Sequence, residues 1–308
     1  MELRLLQYAL ALHRQGSFTR AAEALHIAQP SLSQQIARLE SEAGVALFFR
    51  GHGGTQATPD GIHFLEQAEQ ILRLHDDLLR EMRERSEGIG QELVIGAPAI
   101  TGGHVLPPLL RAFREEHPTV RVRLVEDTTD VLQDMTARGL TDLSVLALPV
   151  EDDRLAARHM LTEELFLAAP REPARWMDGR MREVCRTEGD KGRPVNLADF
   201  AQAPFILLKR GFGFRGTVLA LCAESGFSPL MAYETSSVET AQALSAHGLG
   251  VTVVPAMVRK TVTGLTPETV YLSIAGRPRR TLVFAHRRDR YLSAAARALL
   301  DMYALRNQ

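Results

Sequence analysis

The 308-residue sequence contains only two cysteines, Cys185 and Cys222, and no long run of apolar residues. Two cysteines cannot build a framework of disulfides, and this pair does not have the spacing of a zinc site. A membrane span needs roughly 18 consecutive apolar residues, and charged residues interrupt every apolar stretch before that length. The N-terminus, MELRLLQYALALHRQ, lacks the apolar core of a signal peptide. These absences predict a cytoplasmic protein.

A strong excess of charge is also missing. The 36 Lys and Arg residues nearly balance the 37 Asp and Glu residues, and the net charge is −1. The first 59 residues contain five Arg and four Glu, which gives this part of the chain a charge of +1. That charge is weaker than a basic patch should have, and it argues modestly against strong non-specific binding to nucleic acid.

Signatures of enzymes are missing as well. None of the ten His residues pairs with another at i, i+4 beside a carboxylate, as a zinc-binding helix requires. No Gly-x-Ser-x-Gly elbow is present, and the spacing of the Gly211–Gly216 run, GFGFRG, does not fit a dinucleotide-binding loop. The sequence therefore predicts no catalytic residue, no metal site and no cofactor.

The most informative stretch that is present covers residues 18–40, FTRAAEALHIAQPSLSQQIARLE. It predicts two short helices with a tight bend between them. Ser17 is a good N-cap for the first helix, because its hydroxyl can accept a bond from a backbone N–H. Pro30 suits the first turn of the second helix, where its missing N–H costs least. Three apolar residues of that helix recur at helical spacing and should face inward: Leu32, Ile36 and Leu39.

The opposite face of the second helix carries Ser33, Gln34, Ala37 and Arg38. Gln and Arg have the donor and acceptor geometry to read base edges in a major groove. The pattern is that of a helix-turn-helix whose second helix recognises DNA. An ordinary helical hairpin with a polar, solvated face fits the helix pattern alone about equally well.

The residues that follow predict a β-wing. VALFFR and TQATPDG flank a Gly-rich turn, as two short strands would. Of Phe48 and Phe49, one should lie in the core of the domain and the other nearer to the DNA. Arg50 is the best candidate for a phosphate contact in this wing.

The run AAEALHIAQPSLSQQIARLESEAGVALFFR, followed by TPDG, resembles the N-terminal winged helix-turn-helix of LysR-type transcriptional regulators. The length of the chain and the order of its parts are also similar to that family. The sequence departs from the family pattern at Ala57, where Leu usually precedes the Thr-Pro pair, and in residues 176–193, which look longer than usual. The predicted DNA-binding residues are Gln29, Pro30, Ser31, Ser33, Gln34, Arg38 and Arg50.

Pro59 begins a long predicted helix that runs to about Glu87. Two adjacent heptad stripes make an apolar seam wide enough for a partner helix. The alternative is a helix that lies on its own domain, but nothing nearby in sequence is an obvious cover for the seam. The resemblance likewise implies a linker helix that pairs two subunits antiparallel. The predicted dimerisation residues are Phe64, Leu65, Ile71, Leu72, Leu78 and Leu79.

From residue 91 onward, strand and helix patterns alternate, which favours a mainly parallel sheet with helices on both faces. The predicted fold class is α/β with an all-α-type winged helix-turn-helix at the N-terminus. The resemblance implies a two-lobed effector domain similar to periplasmic binding proteins. Residues 176–193 are charged and are interpreted as an exposed insertion. The predicted domains are 1–60 (DNA-binding), 61–90 (linker helix and hinge) and 91–308 (effector-binding), with lobe I at about 91–161 and 267–308 and lobe II at about 162–266.

Ligands of open α/β sheets bind beyond the carboxyl ends of the strands, near helix N-termini. We expect a small, carboxylate-bearing effector between the lobes, although Thr101, Thr129 and Ser237 fit the simpler role of helix caps as well. The predicted effector-binding residues are Ala99, Ile100, Thr101, Thr129, Lys209, Phe212 and Ser237.

The sequence thus predicts a regulator that binds a partly palindromic site on double-stranded DNA under the control of an effector. The resemblance implies a homodimer or homotetramer and adds RNA polymerase as a candidate partner. Some members of the family sense peroxide, but Cys222 lies in a predicted helix where it should pack as a small hydrophobe, and Cys185 has no clear partner. The rival class is a receptor or enzyme whose N-terminal helices only oligomerise it.

Overall fold

The computed structural model describes residues 1–51, 54–87, 92–187, 193–259 and 267–306. The chain divides into two compact units, residues 1–88 (unit 1) and residues 89–308 (unit 2). Within the described ranges, no helix combines the length and the apolar character that crossing a membrane requires.

Unit 1 is a small helical domain with a two-stranded wing. Its described elements are α1 (Leu3–Gln15), α2 (Phe18–Ala24), α3 (Gln29–Ala43), β1 (Phe48–Gly51), β2 (Gly54–Ala57) and α4 (Pro59–Glu87). The three residues predicted to face inward, Leu32, Ile36 and Leu39, are fully buried in a core that α1, α2 and the start of α4 complete. The helix-turn-helix and the antiparallel wing are therefore as expected.

The helix ends of unit 1 follow from local chemistry, with one correction. Gly16 and Gly44 terminate α1 and α3 in the left-handed conformation that glycine adopts without strain. Thr58 caps α4, because its hydroxyl accepts from Gly61 N (2.8 Å) and donates to Ala46 O (2.7 Å). Ser17 occupies the N-cap position of α2, but its side chain makes no capping hydrogen bond there.

Lobe I of unit 2 is one layer of sheet with helices packed on it. Its elements are β3 (Glu92–Ala97), α5 (Ala99–Glu116), β4 (Arg121–Glu126), α6 (Thr129–Ala137), β5 (Leu143–Ala147), the first half of β6 (Leu155–Pro170), β11 (Arg279–Arg287) and α11 (Ala294–Arg306). The strand order is β4-β3-β5-β11-β6. Only β3–β4 and β3–β5 are parallel pairs. The expected mainly parallel sheet is therefore mixed, because β11 lies between β5 and β6 and runs antiparallel to both.

Lobe II is built on the second half of β6. Its elements are α7 (Gly179–Thr187), a 3-10 turn (Leu197–Phe200), β7 (Pro204–Leu208), α8 (Gly213–Glu224), β8 (Leu230–Thr235), α9 (Val238–Ala246), β9 (Thr252–Pro255), α10 (Ala256–Arg259) and β10 (Thr269–Ser273). Strands β9 and β10 flank β6 on either side. The chain therefore returns to lobe I after Ser273, later than the boundary near 266 that the sequence predicts.

The single 16-residue strand β6 belongs to both lobes. Its residues 155–164 pair with β11 in lobe I, and its residues 165–170 pair with β9 and β10 in lobe II. The sequence pattern divides this strand near Leu161 into the end of one lobe and the start of the next. In the structure the division falls within one continuous strand, which forms one of the two connections between the lobes.

The segment interpreted as an exposed insertion has an exposed charged side, as expected, but its apolar side belongs to the core of lobe II. Helix α7 buries Met181 and Cys185, and Met177 is buried just before it. The indole Nε1 of Trp176 donates to Gly248 O at 2.7 Å. These apolar residues recur at helical spacing, but charged residues outnumber them in this segment. The sequence pattern therefore did not indicate that the helix is amphipathic. Residues 188–192 of the segment lie outside the described part of the chain.

Candidate DNA interface and effector cleft

The exposed face of α3 carries most of the predicted DNA-binding residues. Gln29, Pro30, Ser31, Gln34 and Arg38 are exposed, and Ser33 is half-buried. The N-cap residue is Ala28, which has no hydrogen-bonding side chain, so the first N–H groups of α3 have no side-chain cap. Uncapped N–H groups at a helix N-terminus can bind a phosphate. This face therefore combines exposed polar side chains with a helix N-terminus that has no side-chain cap.

Arg38 is held by two carboxylates at the surface. Its Nε lies 3.0 Å from Glu42 Oε1, one turn further along α3, and its Nη2 lies 3.2 Å from Glu2 Oε1. These bonds occupy only part of the five donors of a guanidinium. The two carboxylates weaken the attraction of Arg38 for a phosphate, and they fix the direction in which its remaining donors point.

The wing places one phenylalanine inside and one outside, as expected. Phe48 is 4% exposed in the core of unit 1, whereas Phe49 is 58% exposed. The carboxylate of Glu40 accepts from Leu47 N (2.8 Å) and Phe48 N (3.1 Å), which attaches the start of the wing to α3. The side chain of Arg50 lies outside the described part of the structure, as do residues 52 and 53.

The long helix α4 divides its apolar seam between two environments. Leu65 is only 4% exposed and belongs to the core of unit 1, so it covers its own domain. Phe64 and Leu72 are half-buried and pack against the same core. Further along, apolar side chains stand well exposed: Ile71, Leu74, Leu78, Leu79 and Met82.

In unit 2 the two lobes meet at the N-termini of α6 and α8. The backbone N–H of Gly213, the first residue of α8, donates to the hydroxyl of Thr129, the first residue of α6, at 3.0 Å. A Cβ at position 213 would lie only 3.0 to 3.3 Å from Thr129, so glycine permits this approach. Ile100, at the start of α5 in lobe I, packs against the core of lobe II, and so does Phe212. The structure thus brings Ile100, Thr129 and Phe212 to one boundary between the lobes.

The other predicted effector-binding residues have more mixed positions. Ser237 is a helix cap, because its hydroxyl accepts from Thr240 N (3.1 Å) and donates to Glu239 (2.7 Å). Thr101 is buried in the first turn of α5, the helix that begins at Ala99. Ala99 and Lys209 are exposed. Lys209 N bonds to Thr235 O at 2.9 Å, so it sits where β7 and β8 end.

Both cysteines are inaccessible. Cys185 and Cys222 are fully buried in the core of lobe II, and neither forms a disulfide. Burial in apolar surroundings raises the pKa of each thiol to about 11, so both stay protonated at neutral pH. Such thiols are poor nucleophiles. No group of three or more metal-ligating side chains was found among the described residues.

Sequence reasoning missed a buried ion pair at the junction of the lobes. Glu163 and Arg280 face each other on β6 and β11. Both Nε and Nη2 of Arg280 lie 2.8 Å from Glu163 Oε1, and Glu163 Oε2 accepts from Met257 N at 2.9 Å. The guanidinium also lies 5.0 Å from the ring centre of Phe214 in α8. Burial lowers the pKa of Arg280, and Glu163 acts against that shift.

Comparison with known proteins accounts for almost the whole chain. Residues 3–62 match a model described as "Bacterial regulatory helix-turn-helix protein, lysR family", and residues 86–306 match the "LysR substrate binding domain". The chain is 51% identical over 308 residues to the uncharacterized regulator YcgK of Bacillus subtilis (strain 168), covering 98% of this chain and 94% of that protein.

Solved structures of full-length proteins match over the same range. An OxyR variant from Pseudomonas aeruginosa is 26% identical with a TM-score of 0.70, covering 99% of this chain and 95% of that one. CbnR in complex with its target DNA is 25% identical with a TM-score of 0.66, and the match covers both chains completely.

Proposed function

The chain belongs to the LysR family of DNA-binding transcriptional regulators, and we propose that it reads a partly palindromic DNA site through α3 and the wing under the control of an effector held between its lobes. The observation that carries the DNA-reading role is the exposed polar face of α3, which begins with an uncapped helix N-terminus. A comparable full-length protein, CbnR, is described in complex with its target DNA.

The proposed contacts divide into two groups by their chemistry. In the first turn of α3, Gln29 and Ser31 supply backbone N–H groups that suit a phosphate, whereas Pro30 has no N–H and fixes the backbone between them. Gln34 projects from the exposed face one turn later and suits the edge of a base. Ser33 adds a hydroxyl, and Arg38 adds the guanidinium that Glu42 and Glu2 orient. Arg50 is proposed as a phosphate contact from the wing, on the basis of its position in the sequence.

The effector is proposed to bind where α6 and α8 approach each other. The first N–H of α8 is bonded to the neutral hydroxyl of Thr129, and a carboxylate would be a stronger acceptor at the positive end of that helix. Lys209 adds an exposed cation at the end of β7, and Phe212 adds apolar surface. A carboxylate-bearing effector therefore fits this boundary, and its binding would change how the lobes close.

Dimerisation is proposed to use the exposed part of the seam on α4. Ile71, Leu78 and Leu79 are 40 to 55% exposed, which is unusual for large apolar residues spaced along one helix. Phe64 and Leu72 would border that contact, while Leu65 remains in its own core. A dimer would present two copies of α3 to the two halves of a palindromic site.

A tetramer is proposed to form through the edges of unit 2. Strand β4 exposes Leu124, and β8 exposes Leu230, Met231 and Tyr233. Both are end strands within the described sheets, and unpaired edges with apolar side chains favour pairing with a second copy. RNA polymerase is a further proposed partner, since a regulator bound at a promoter acts through it.

The test is selection of genomic fragments by the purified full-length protein at moderate salt, with and without cell extract as a source of effector. We expect the enriched fragments to share an inverted repeat. Absence of enrichment under both conditions would contradict DNA reading by this chain.

Variants then separate the two groups of contacts on the selected site. Gln34→Ala should relax the base preference, and Arg50→Ala should weaken binding to all sequences alike and lower its salt dependence. Gln7→Ala, an exposed glutamine of α1 in the same unit, serves as the matched control and should change neither. If Arg50→Ala changes the preferred sequence instead, the proposed division of roles is wrong.

A further inference from the structure

Lobe II contains a small pocket between α7 and residues 193–200. One wall is α7 with the residue before it, and the other wall includes the 3-10 turn. The pocket encloses about 270 Å³. Small-molecule sites commonly have volumes of roughly 300 to 1,000 Å³, so this pocket suits only a small ligand. Its described lining includes none of the residues proposed above to bind the effector.

The inner surface of the pocket is apolar. Met181 of α7 and Val195 and Phe200 of the opposite wall line it, and each of the three is less than one-tenth exposed. All three belong to the core of lobe II, so packing holds them in place. Val184, which is half-buried one turn after Met181, extends the same surface along α7. An apolar group of a ligand placed here would be removed from water.

The outer part of the pocket carries charged side chains of both signs. They are two carboxylates and two guanidiniums: Asp178, Asp199, Arg180 and Arg193. Asp199 is half-buried, and the other three are exposed. A ligand with a single charge would be attracted by one of these pairs and repelled by the other. A ligand that carries one positive and one negative charge therefore matches the pocket better than an anion or a cation.

Two of the four charged groups are already paired with each other. Arg180 Nη2 lies 2.9 Å from Asp199 Oδ2, which joins α7 to the 3-10 turn. Arg193 forms no ion pair with an acidic residue of the described ranges, so its guanidinium is available to a carboxylate. Asp178 caps α7, because its Oδ1 accepts from Met181 N at 2.7 Å. A carboxylate has about four acceptor positions, so Asp178 can also bind an ammonium group while it keeps the cap.

We propose that this pocket binds a free α-amino acid with an apolar side chain. The carboxylate of the ligand pairs with Arg193, its ammonium group pairs with Asp178, and its side chain covers the apolar surface around Met181. Along α7 the lining runs from Asp178 to Val184, which is about 9 Å and suits one amino acid rather than a longer peptide. The site is separate from the boundary of α6 and α8, and it does not depend on the effector proposed there.

The wall formed by residues 193–200 is also bonded to the second connection between the lobes. Val195 N donates to Ser273 O, and Ala275 N donates to Val195 O, both at 2.8 Å. Ser273 ends β10, and the chain then enters β11 of lobe I. An amino acid that packs on Val195 would therefore stabilise the segment through which the chain leaves lobe II.

The test measures binding of small probes to the full-length protein by saturation-transfer difference NMR. L-leucine carries both charges, isoamylamine has the same branched chain with only the ammonium group, and 4-methylpentanoate has it with only the carboxylate. We expect L-leucine to bind saturably with a Kd of about 1 mM, which suits so small a ligand. Each singly charged probe should bind about fivefold more weakly, since one exposed ion pair rarely contributes more. Glycine, which leaves the apolar surface uncovered, should bind at least about tenfold more weakly.

Two substitutions each remove one charge from the pocket. Arg193→Gln and Asp178→Asn should each weaken L-leucine binding about fivefold, and the Asn side chain keeps the oxygen that caps α7. Arg193→Gln should leave isoamylamine binding unchanged, because that amine has no carboxylate. The matched controls are Arg182→Gln and Glu183→Gln, since both residues are exposed on α7 outside the described lining. Both controls should bind L-leucine like the unaltered protein.

Three results would overturn the proposal. The first is the absence of saturable L-leucine binding to the unaltered protein. The second is an affinity for L-leucine in Arg193→Gln and Asp178→Asn that equals the affinity of the two controls. The third is a loss of L-leucine binding in Thr129→Val instead, because the amino acid would then occupy the boundary of α6 and α8. That last result would support the proposed effector site while it excludes this pocket.

Discussion

Replacing Glu163 with Gln should destabilise unit 2, because it leaves the guanidinium of Arg280 buried without its counter-charge. Both side chains are less than one-tenth exposed, and Glu163 is the acidic partner within bonding distance of Arg280. Removing one partner of such a pair costs about 3 to 5 kcal/mol. For a unit of about 220 residues, each kcal/mol lowers Tm by roughly 2 to 4 °C. The expected decrease in Tm is therefore about 6 to 20 °C.

Calorimetry of the full-length protein measures this decrease against a matched control. Glu115→Gln breaks the exposed pair between Arg111 and Glu115, and it should change stability by no more than about 0.5 kcal/mol. The double variant Glu163→Leu/Arg280→Met removes both charges and should be more stable than Glu163→Gln alone. A loss of less than about 1 kcal/mol in Glu163→Gln would mean that Arg280 is not the desolvated charge assumed here.

Three other expectations follow from burial and hydrogen bonding. Cys185 and Cys222 should resist thiol reagents and peroxide in the folded protein, because burial raises the pKa of both thiols. In a DNA-binding assay, a Cys185→Ser variant should respond to peroxide in the same way as the unaltered protein. Rapid labelling of either cysteine would contradict its high pKa. Phe48→Ala should lower the stability of unit 1 by about 3 to 5 kcal/mol in thermal melting, whereas Phe49→Ala should stay within about 0.5 kcal/mol; equal losses would refute the assignment of inner and outer ring. Thr129→Val removes the acceptor of the first α8 amide and should alter the response of Tm to carboxylate effectors; an unchanged response would place the effector elsewhere.

The helix-turn-helix could be predicted from the sequence because its signals are local. Leu32, Ile36 and Leu39 repeat at helical spacing, and Pro30 marks the first turn, so periodicity and end signals indicate the same element. The same holds for α4, whose start and end were predicted at Pro59 and Glu87. Its exposed apolar positions also follow from the heptad pattern, apart from Leu65, which its own domain covers.

The errors fall where long-range packing decides the structure. Helix α7 carries so many charged residues that its buried face, with Met181 and Cys185, was read as part of an exposed segment. The predicted boundary between the lobes near Leu161 falls inside strand β6, because this strand exchanges its pairing with β11 for pairing with β9 and β10 without a break. The partnership of Glu163 with Arg280 joins residues far apart in sequence, and neither charge has a local signal that indicates its partner.

The residues of the candidate effector site also differ in whether local sequence signals or long-range packing determine their positions. Thr129 and Phe212 were predicted from the rule that ligands bind beyond strand ends, and that rule depends only on the order of elements. Ser237 acts as a helix cap, because its hydroxyl accepts from Thr240 N. This is the simpler of the two roles that the sequence left open. The contact between Thr129 and Gly213 depends on how closely the two lobes approach, which no spacing within either segment encodes.

The interleaved course of the chain constrains the order in which unit 2 can form during synthesis. Strand β11 lies between β5 and β6, yet it leaves the ribosome more than a hundred residues after both of them. The sheet that begins first is thus completed last, and until then β5 and the first half of β6 lack the strand that joins them. All the strands of the second sheet precede β11, so that sheet can assemble earlier. Nascent chains of this protein should therefore depend on chaperones most while the last third is being translated.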